Sequence, residues 1–238
     1  MTIDCPFPQD RKFNDFEKEV FYRVVFSRRD VRKRFIHKTI DDRTIYNILN
    51  AAHHAPSVGF SQPWNFILIK DKDTRIKIKN SFLKERLRSI DYLKYDKEKQ
   101  EKYYNLKLEG ILESDLNICV TYDHNRFGPF VIGRMTVEEA GIYSVCCAIQ
   151  NLWLAARVED VGVGWVSILD NADLSNILNL PHNIKPVAYL CLGYVDKFND
   201  IPDLEESKWL NRLDLQDVVF FEKWDDKNNS GWSNFKNM

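Results

Sequence analysis

A cluster of arginines around one aspartate is the first group of residues in this sequence that suits chemistry. Arg28, Arg29 and Arg32 surround Asp30, just after a stretch with helical spacing of apolar residues. Guanidinium groups bind phosphate or the polar edge of a ring through paired hydrogen bonds. The solvated basic end of a helix explains the same cluster, and spacing alone favours that interpretation. The embedded aspartate is unusual, and an internal ion pair also accounts for it.

The loop from Pro56 to Pro63 is the second candidate. Its two prolines and Gly59 restrict the backbone, and Ser57, Ser61 and Gln62 supply hydrogen-bonding groups. Such a loop can direct backbone N–H groups at a planar ligand. Considered alone, the loop is explained somewhat better as an ordinary connection between a helix and a strand.

The third candidate is the segment from Gly162 to Ser167. Its two glycines precede apolar strand residues, which lets another group approach the backbone closely. Ser167 either faces a pocket or is satisfied within the sheet. The segment is not a G-x-G-x-x-G fingerprint, because position 167 is serine and no helix follows directly. A dinucleotide site of the Rossmann type is therefore poorly supported.

Other reactive patterns point to no site. His53 and His54 are neighbours, so on a helix they project about 100° apart and cannot share a metal ion. No serine-hydrolase, zinc-protease or P-loop motif occurs, and we expect no metal. An odd number of cysteines without metal spacing predicts free thiols in a reducing compartment. These cysteines are Cys5, Cys119, Cys146, Cys147 and Cys191.

Composition limits the partners and the compartment. The 238 residues carry 34 Lys and Arg against 35 Asp and Glu, a net charge of −1, which argues against a large nucleic-acid surface. The charged start, MTIDCPFPQDRKF, is not typical of a signal peptide. The uncharged run at 140–156 contains Gln150 and Asn151, so it predicts a core or interface helix rather than a membrane span. We expect a cytoplasmic protein without membrane partners.

The elements that position these residues follow from apolar periodicity and capping signals. The pattern predicts one α+β or α/β domain over residues 1–238, with four or five strands. A capping box, Thr136-x-x-Glu139, opens the helix that ends near residue 158. Helices are predicted at 14–26, from Thr39 or Asp41 to before Ala55, at 73–93, 136–158 and 173–180. Strands are predicted at 64–70, 116–122, 162–169 and 185–195. A weakly anchored helical region at 81–110, a short extended segment at 215–224 and a loose tail at 225–238 complete the prediction.

Together, the three candidate segments resemble the nitroreductase-type flavoprotein superfamily, from about Phe21 to Trp224. The sequences RRDVR at 28–32, APSVGFSQPW at 55–64 and GVGW at 162–165 occur in the order expected for it. Within the superfamily, the chain resembles the flavin-fragmenting branch, the 5,6-dimethylbenzimidazole synthases. That resemblance includes GPFVIGRMTVEE at 128–139, most of 143–170, KPVAYLCLGYV at 185–195, and an aspartate at position 30 where ordinary nitroreductases usually carry serine.

The resemblance implies a fold and a reaction. The fold is α+β, a central mostly antiparallel sheet flanked by helices, in a homodimer with swapped C-terminal segments and two flavin sites at the interface. The reaction uses O2 to fragment reduced FMN, as a substrate, into 5,6-dimethylbenzimidazole, the lower ligand of vitamin B12, and erythrose 4-phosphate. A separate flavin reductase supplies the reduced FMN. The alternatives are an FMN-dependent nitroreductase or NAD(P)H flavin reductase, and a flavin-sequestering protein without turnover.

The resemblance also implies residue roles. Asp30 and Ser167 match two positions tied to fragmentation, Asp30 for moving protons and Ser167 for bonding the reacting flavin or orienting a water. Arg28 and Arg29 would bind the phosphate and ribityl groups, and Arg32 the ring edge. The region 81–110 would be a lid that excludes water. The full expected FMN-binding set is Arg28, Arg29, Asp30, Val31, Arg32, Ser57, Gly59, Gln62, Gly164, Trp165, Ser167 and Arg212.

Overall fold

The computed structural model describes residues 11–224. Cys5 and the predicted tail at 225–238 lie outside the described residues. The chain divides between Asp200 and Ile201 into two compact units, and the single domain over 1–238 stays a prediction. The second unit contains a short helix, Asp203–Glu206, and a 3-10 turn, Leu215–Asp217. The prediction of an extended segment from 215 is wrong at that turn, because Asp217 and Val218 bond back to Asp214 and Leu215.

The first unit holds six α-helices, one short 3-10 helix at Val58–Phe60 and four strands within its described part. The helices are α1 Asp15–Ser27, α2 Asp42–His53, α3 Lys72–Tyr92, α4 Lys97–Asn105, α5 Ala140–Val158 and α6 Asn171–Ile177. The strands are β1 Trp64–Ile69, β2 Leu116–Asp123, β3 Val161–Val166 and β4 Ile184–Tyr194. Of the helices in residues 11–224, none has the length and apolar character to cross a membrane.

The four strands form one antiparallel sheet in the order β1-β2-β4-β3. This confirms the predicted α+β class and the antiparallel sheet. Helix α5 packs on the sheet through Ala148, Ile149 and Leu152, none of which is more than 1% exposed. Helix α2 packs beside α5 and adds Ile48 and Ala52 to the same core. The uncharged run at 140–156 is thus a core helix, as predicted.

Capping groups decide where the helices begin. Asp41, not Thr39, caps α2, because its Oδ1 accepts the N–H of Thr44 at 3.0 Å. The predicted capping box at Thr136 and Glu139 is wrong, since α5 starts at Ala140 without a side-chain cap. The backbone before it bends at Gly133, where φ is +87°, and forms separate turns instead of a first helical turn.

The region 81–110 is anchored at both ends and exposed in the middle. Phe82 is fully buried at one end. At the other end the buried Glu109 pairs with Lys79 and accepts the N–H of Ile111 at 2.8 Å. Between them Tyr92 is 87% exposed. Weak anchoring is therefore correct for the middle of the region and wrong for its ends, while its role as a lid stays a prediction.

Candidate functional site

The arginine segment at 28–32 docks on the outer edge of β3. The N–H of Val31 donates to the carbonyl oxygen of Val163 at 2.9 Å. Two residues further along β3, the N–H of Trp165 donates to the Oδ1 atom of Asp30 at 3.0 Å. A Cβ atom on Gly164 would lie 2.0 Å from the carbonyl oxygen of Val31, so only glycine permits this crossing. The strand edge therefore fixes where the Asp30 carboxyl lies.

Side chains along 28–32 divide between two environments. Arg32 forms an ion pair with Asp30, and the Arg28 guanidinium lies 4.7 Å from the centre of the Trp153 ring. The Arg29 guanidinium instead donates to the carbonyl oxygens of Phe26 and Arg28, both at 2.7 Å. It also bonds the carbonyl oxygen of Asp200. In an extended segment successive side chains point to opposite sides, which explains the separation of Arg29 from its neighbours.

Electrostatics single out Asp30 in this group. Burial raises the pKa of the Asp30 carboxyl, because the charged form loses hydration. Arg32, the N–H of Trp165 and the Arg28 charge partly offset the rise in pKa. The side chain keeps 30% exposure, so a substrate can reach it. A carboxyl with a raised pKa exchanges protons closer to neutral pH, which suits general acid or base chemistry.

Ser167 lies two residues after Trp165, just beyond the end of β3. Strand β3 ends at Val166, so the predicted strand through Leu169 is too long. The pairing of β3 with β4 ends at Val166, which lies opposite Tyr189, so Ser167 is outside the sheet. Ser167 is exposed and lines a cavity of about 430 Å³ with Trp165. Of the two sequence alternatives for Ser167, the structure supports the pocket.

The loop at 56–63 is shaped by its own bonds and by α5. Gly59 has a φ of +54°, and a Cβ there would lie 2.6 Å from the Val131 side chain. The Oγ atom of Ser57 accepts the N–H of Gln62 at 3.0 Å. The N–H of Val58 donates to the Ser144 hydroxyl of α5, also at 3.0 Å. The loop is thus a fixed platform, although the hydroxyls of Ser57 and Ser61 and several of its N–H groups are already hydrogen-bonded.

The two candidate segments lie at opposite edges of the sheet. The segment at 28–32 docks on β3, while the loop leads into β1, and β2 and β4 lie between them. Three strand spacings amount to about 14 Å. The structure therefore brings together one part of the expected FMN-binding set and leaves the loop residues apart within one chain. The first part is Arg28, Asp30, Val31, Arg32, Gly164, Trp165 and Ser167; the separated loop residues are Ser57, Gly59 and Gln62.

Arg212 belongs to the second unit, where it is exposed and outside any helix or strand. Its expected role at the FMN phosphate stays a prediction.

Trp153 is a site residue that the sequence analysis missed. Its Nε1–H donates to the carbonyl oxygen of Arg29 at 3.0 Å, and its ring lies beneath the Arg28 guanidinium. The ring centre is 6.5 Å from that of Trp165. Trp153 lies in the uncharged run at 140–156, which the sequence predicts to be buried. A buried indole N–H needs a hydrogen-bond acceptor, and that requirement was the available signal for a contact with another segment.

Three of the four cysteines in the described range are poor nucleophiles, because burial raises the pKa of their thiols. Burial raises the pKa of the Cys119 and Cys191 thiols to about 12, so both stay protonated. Burial also raises the pKa of Cys146. All four cysteines between residues 11 and 224 are free, as the sequence predicts for them.

Comparison with known proteins gives this geometry a family. The chain is 40% identical to 5,6-dimethylbenzimidazole synthase of Rhodospirillum rubrum over 185 residues, covering 78% of this chain and 86% of the relative. Its fold is similar to that of a BluB-like flavoprotein from Clostridium difficile, with a TM-score of 0.64 and 20% identity over 85% of this chain and 98% of the other. It is also similar to iodotyrosine deiodinase bound to FMN and 3-iodo-L-tyrosine, with a TM-score of 0.68 and 17% identity over 86% of this chain and all of the other.

The model of the nitroreductase family matches residues 25–194. That range begins in the last turn of α1 and ends with β4, so it includes the whole sheet. It also includes the arginine segment, the loop at 56–63 and Ser167. The chain belongs to the nitroreductase family.

Proposed function

We propose that this protein is a 5,6-dimethylbenzimidazole synthase that uses O2 to fragment reduced FMN. The products are 5,6-dimethylbenzimidazole and erythrose 4-phosphate, and FMN is the substrate. One observation carries the proposal: the Asp30 carboxyl is held by the N–H of Trp165, next to Arg32 and to the segment that ends in Ser167. The identity of 40% to a synthase supports the same reading.

The residues at this edge fit a reduced flavin. The Nε atom of Arg32 is buried and has no hydrogen-bond partner, so one donor is left for an anionic ring edge. The Arg28 guanidinium over the Trp153 ring supplies a second cation for phosphate or ribityl oxygens. Reduced FMN supplies both the electrons for O2 and the carbon skeleton of the products. The fit therefore rests on one unused donor, the Nε–H group of Arg32, and on the positive charge of Arg28.

Asp30 is the proton-transfer group of the proposed reaction. Its Oδ1 atom is fixed by the N–H of Trp165, and its Oδ2 atom bonds Arg32. This arrangement orients the carboxyl while its raised pKa lets it take up and return a proton. Ser167, free of the sheet, orients a water or donates to the reacting ring. The lid at 81–110 would exclude bulk water from both.

A homodimer completes the proposed site. The loop at 56–63 is separated from Asp30 by the width of the sheet, so a partner's loop would complete each half-site. Among the described residues, no strand pairs with the outer edge of β1, which is open to a swapped C-terminal segment. No residue of α1 is buried, and Phe16 and Phe26 are each 72% exposed, which suits an interface.

The proposal includes a supply of reduced FMN from a separate flavin reductase and a location in the cytoplasm. Free cysteines agree with a reducing compartment. The second candidate is an FMN-dependent nitroreductase or NAD(P)H flavin reductase, which the family match favours. Asp30 favours the synthase, since a reductase that recycles its flavin needs no carboxyl for breaking the ring.

One assay separates these functions. The purified protein is incubated with FMN, a separate flavin reductase, NADPH and air, and 5,6-dimethylbenzimidazole is measured by mass spectrometry. The proposal expects product and loss of flavin. Ser167→Ala lowers the yield, while Ser175→Ala does not, because the Ser175 hydroxyl donates only to the carbonyl oxygen of Asn171 within α6. Intact flavin with NADPH-driven reduction of a nitroaromatic would establish the nitroreductase. Stoichiometric binding of unchanged flavin would establish a binding protein.

A further inference from the structure

The cavity beside Ser167 extends to the lid region and is walled by four elements. Trp165 and Ser167 form one side, Leu174 of α6 another, and Ala188 of β4 the floor. Glu85, in the part of α3 that belongs to region 81–110, closes it. A volume of about 430 Å³ is at the small end of ligand sites, which run from about 300 to 1,000 Å³. The cavity therefore suits a compact ligand rather than a whole flavin nucleotide.

The floor is open because β4 continues past its partner. Pairing with β3 ends at Val166 and Tyr189, so residues 184–188 of β4 have no strand partner on that side in the described sheet. Pro186 lies in this segment and has no N–H to donate to a neighbouring strand. The cavity is thus a consequence of β3 being shorter than β4. The lid region covers the cavity with Glu85 but does not fill its volume.

The charge of the lining selects the kind of ligand. Among the described residues that line the cavity, two are acidic, Glu85 and Asp170, and none is lysine or arginine. Asp170 is committed, because its Oδ1 accepts the N–H groups of Ala172 and Asp173 and caps α6. Glu85 is held by Arg88 at 2.9 Å, and its side chain is 19% exposed. The described lining itself therefore offers a phosphate no cation, and Arg88 beyond it is already paired with Glu85. A heteroaromatic base with an N–H donor fits this lining, because a carboxylate is available to accept that hydrogen.

We infer that this cavity holds the 5,6-dimethylbenzimidazole product, with Glu85 accepting its ring N–H and Trp165 contacting its aromatic face. This inference rests on the proposed function, since it concerns which of the two products stays at the site. The apolar walls of Val166, Leu174 and Ala188 match the dimethylbenzene part of the product. No lysine or arginine among the described residues lines the cavity for the sugar phosphate, so the cavity suits the aromatic product better. Glu85 is a product-binding residue that reaches the site from the lid region.

The test is a binding titration that needs no turnover. Flavin-free protein is titrated with 5,6-dimethylbenzimidazole and with its N-methylated form, which lacks the N–H, and tryptophan fluorescence and calorimetry are followed. We expect saturable binding of one molecule per chain. Glu85→Gln weakens binding of the parent compound about tenfold, as does N-methylation in the wild type, because each removes a charge-assisted hydrogen bond. In the Glu85→Gln variant, N-methylation of the ligand should weaken binding little further, because both changes remove the same hydrogen bond.

Glu113→Gln is the matched control, because Glu113 lies outside region 81–110, is an exposed carboxylate and pairs with Lys107 at 2.5 Å. It should bind both compounds like the wild type. No saturable binding to the wild type, or equal binding of both compounds by wild type and Glu85→Gln, would overturn the inference. The mass-spectrometric assay on the same preparation reports the function separately. Product formation without binding rejects only the cavity, and binding without product formation rejects only the synthase.

Discussion

The arginine segment at 28–32 and the loop at 56–63 are both expected to bind flavin, yet they are built in opposite ways. The segment is held by another element, through Val31 and Asp30 on β3. The loop is held largely by itself, through Ser57 and Gln62, and by one contact with α5. The segment keeps charged groups with spare hydrogen-bonding capacity, whereas the loop uses much of its own. The chemistry is therefore expected at the segment, and the loop is expected to supply shape.

Asp30→Asn is the sharpest way to break this comparison. Asparagine keeps the size of the side chain and removes the ionisable carboxyl, so we expect product formation to fall about 100-fold or more. Binding of reduced FMN should change little, because Arg28 and Arg32 remain. Product is measured by mass spectrometry and binding by flavin fluorescence. Asp196→Asn, at an exposed partner of Arg34, serves as the control. A wild-type rate in Asp30→Asn would remove Asp30 as the acid or base.

Mixed dimers test whether the two half-sites belong to different chains. Asp30→Asn and Gln62→Ala are first shown to be inactive alone, then unfolded together and refolded. If each site combines the segment of one chain with the loop of the other, a mixed dimer contains one intact site. Activity should then return to about a quarter of the wild-type value, since half of the dimers are mixed. No recovery in dimers shown to be mixed would place both half-sites within one chain.

Arg32 and Arg29 should separate binding from stability. Arg32→Ala removes the spare donor, and we expect reduced FMN to bind about tenfold more weakly. Arg29→Ala removes bonds to the carbonyl oxygens at the end of α1, so it should lower Tm by a few degrees with a smaller change in affinity. Flavin titration and thermal unfolding of both variants measure this. If Arg32→Ala and Arg29→Ala lose the same affinity for reduced FMN, the two side chains do not have the separate roles of binding and stability.

The smallest expected effect is a pH dependence of stability. Folding raises the pKa of Asp30, so the folded state binds the proton more tightly than the unfolded chain does. The resulting stability is present below the ordinary aspartate pKa of about 3.9 and is lost as pH rises through the folded pKa. The Tm of wild type minus that of Asp30→Asn should therefore decrease over this window. If the Tm difference stays flat or grows with pH, the effect of Arg32 on the pKa of Asp30 outweighs the effect of burial.

Local signals predicted most of the fold. Apolar alternation located the strands, and the acidic cap Asp41 located the start of α2. The signal failed at Thr136, where a correct capping sequence lies in turns set by Gly133, because backbone geometry upstream overrides the motif. It also missed the anchored ends of the region 81–110, since the burial of Phe82 and Glu109 depends on contacts with distant elements.

The site was predicted as a set of residues but not as an arrangement. Asp30, Gly164 and Ser167 were identified by type and resemblance. Their grouping depends on the bridge between Asp30 and Val163, which joins residues more than 130 positions apart. The same bridge sets the direction of the Arg29 side chain, which points away from Asp30 and Arg32. Glu85 was missed because one acidic residue among many on a polar helix carries no local signal.

Few bonds attach the arginine segment to β3, and this has a consequence for solvent exchange. The amide hydrogens of Val31 and Trp165 point across the same seam, one to Val163 and the other to Asp30. Both become accessible to deuterium only when the segment separates from the strand. A ligand that binds only the docked segment raises the free energy of that opening by RT ln(1 + L/Kd), where L is the free ligand concentration, so both amides exchange more slowly. These two amides are therefore built-in reporters of site occupancy, readable without following any reaction.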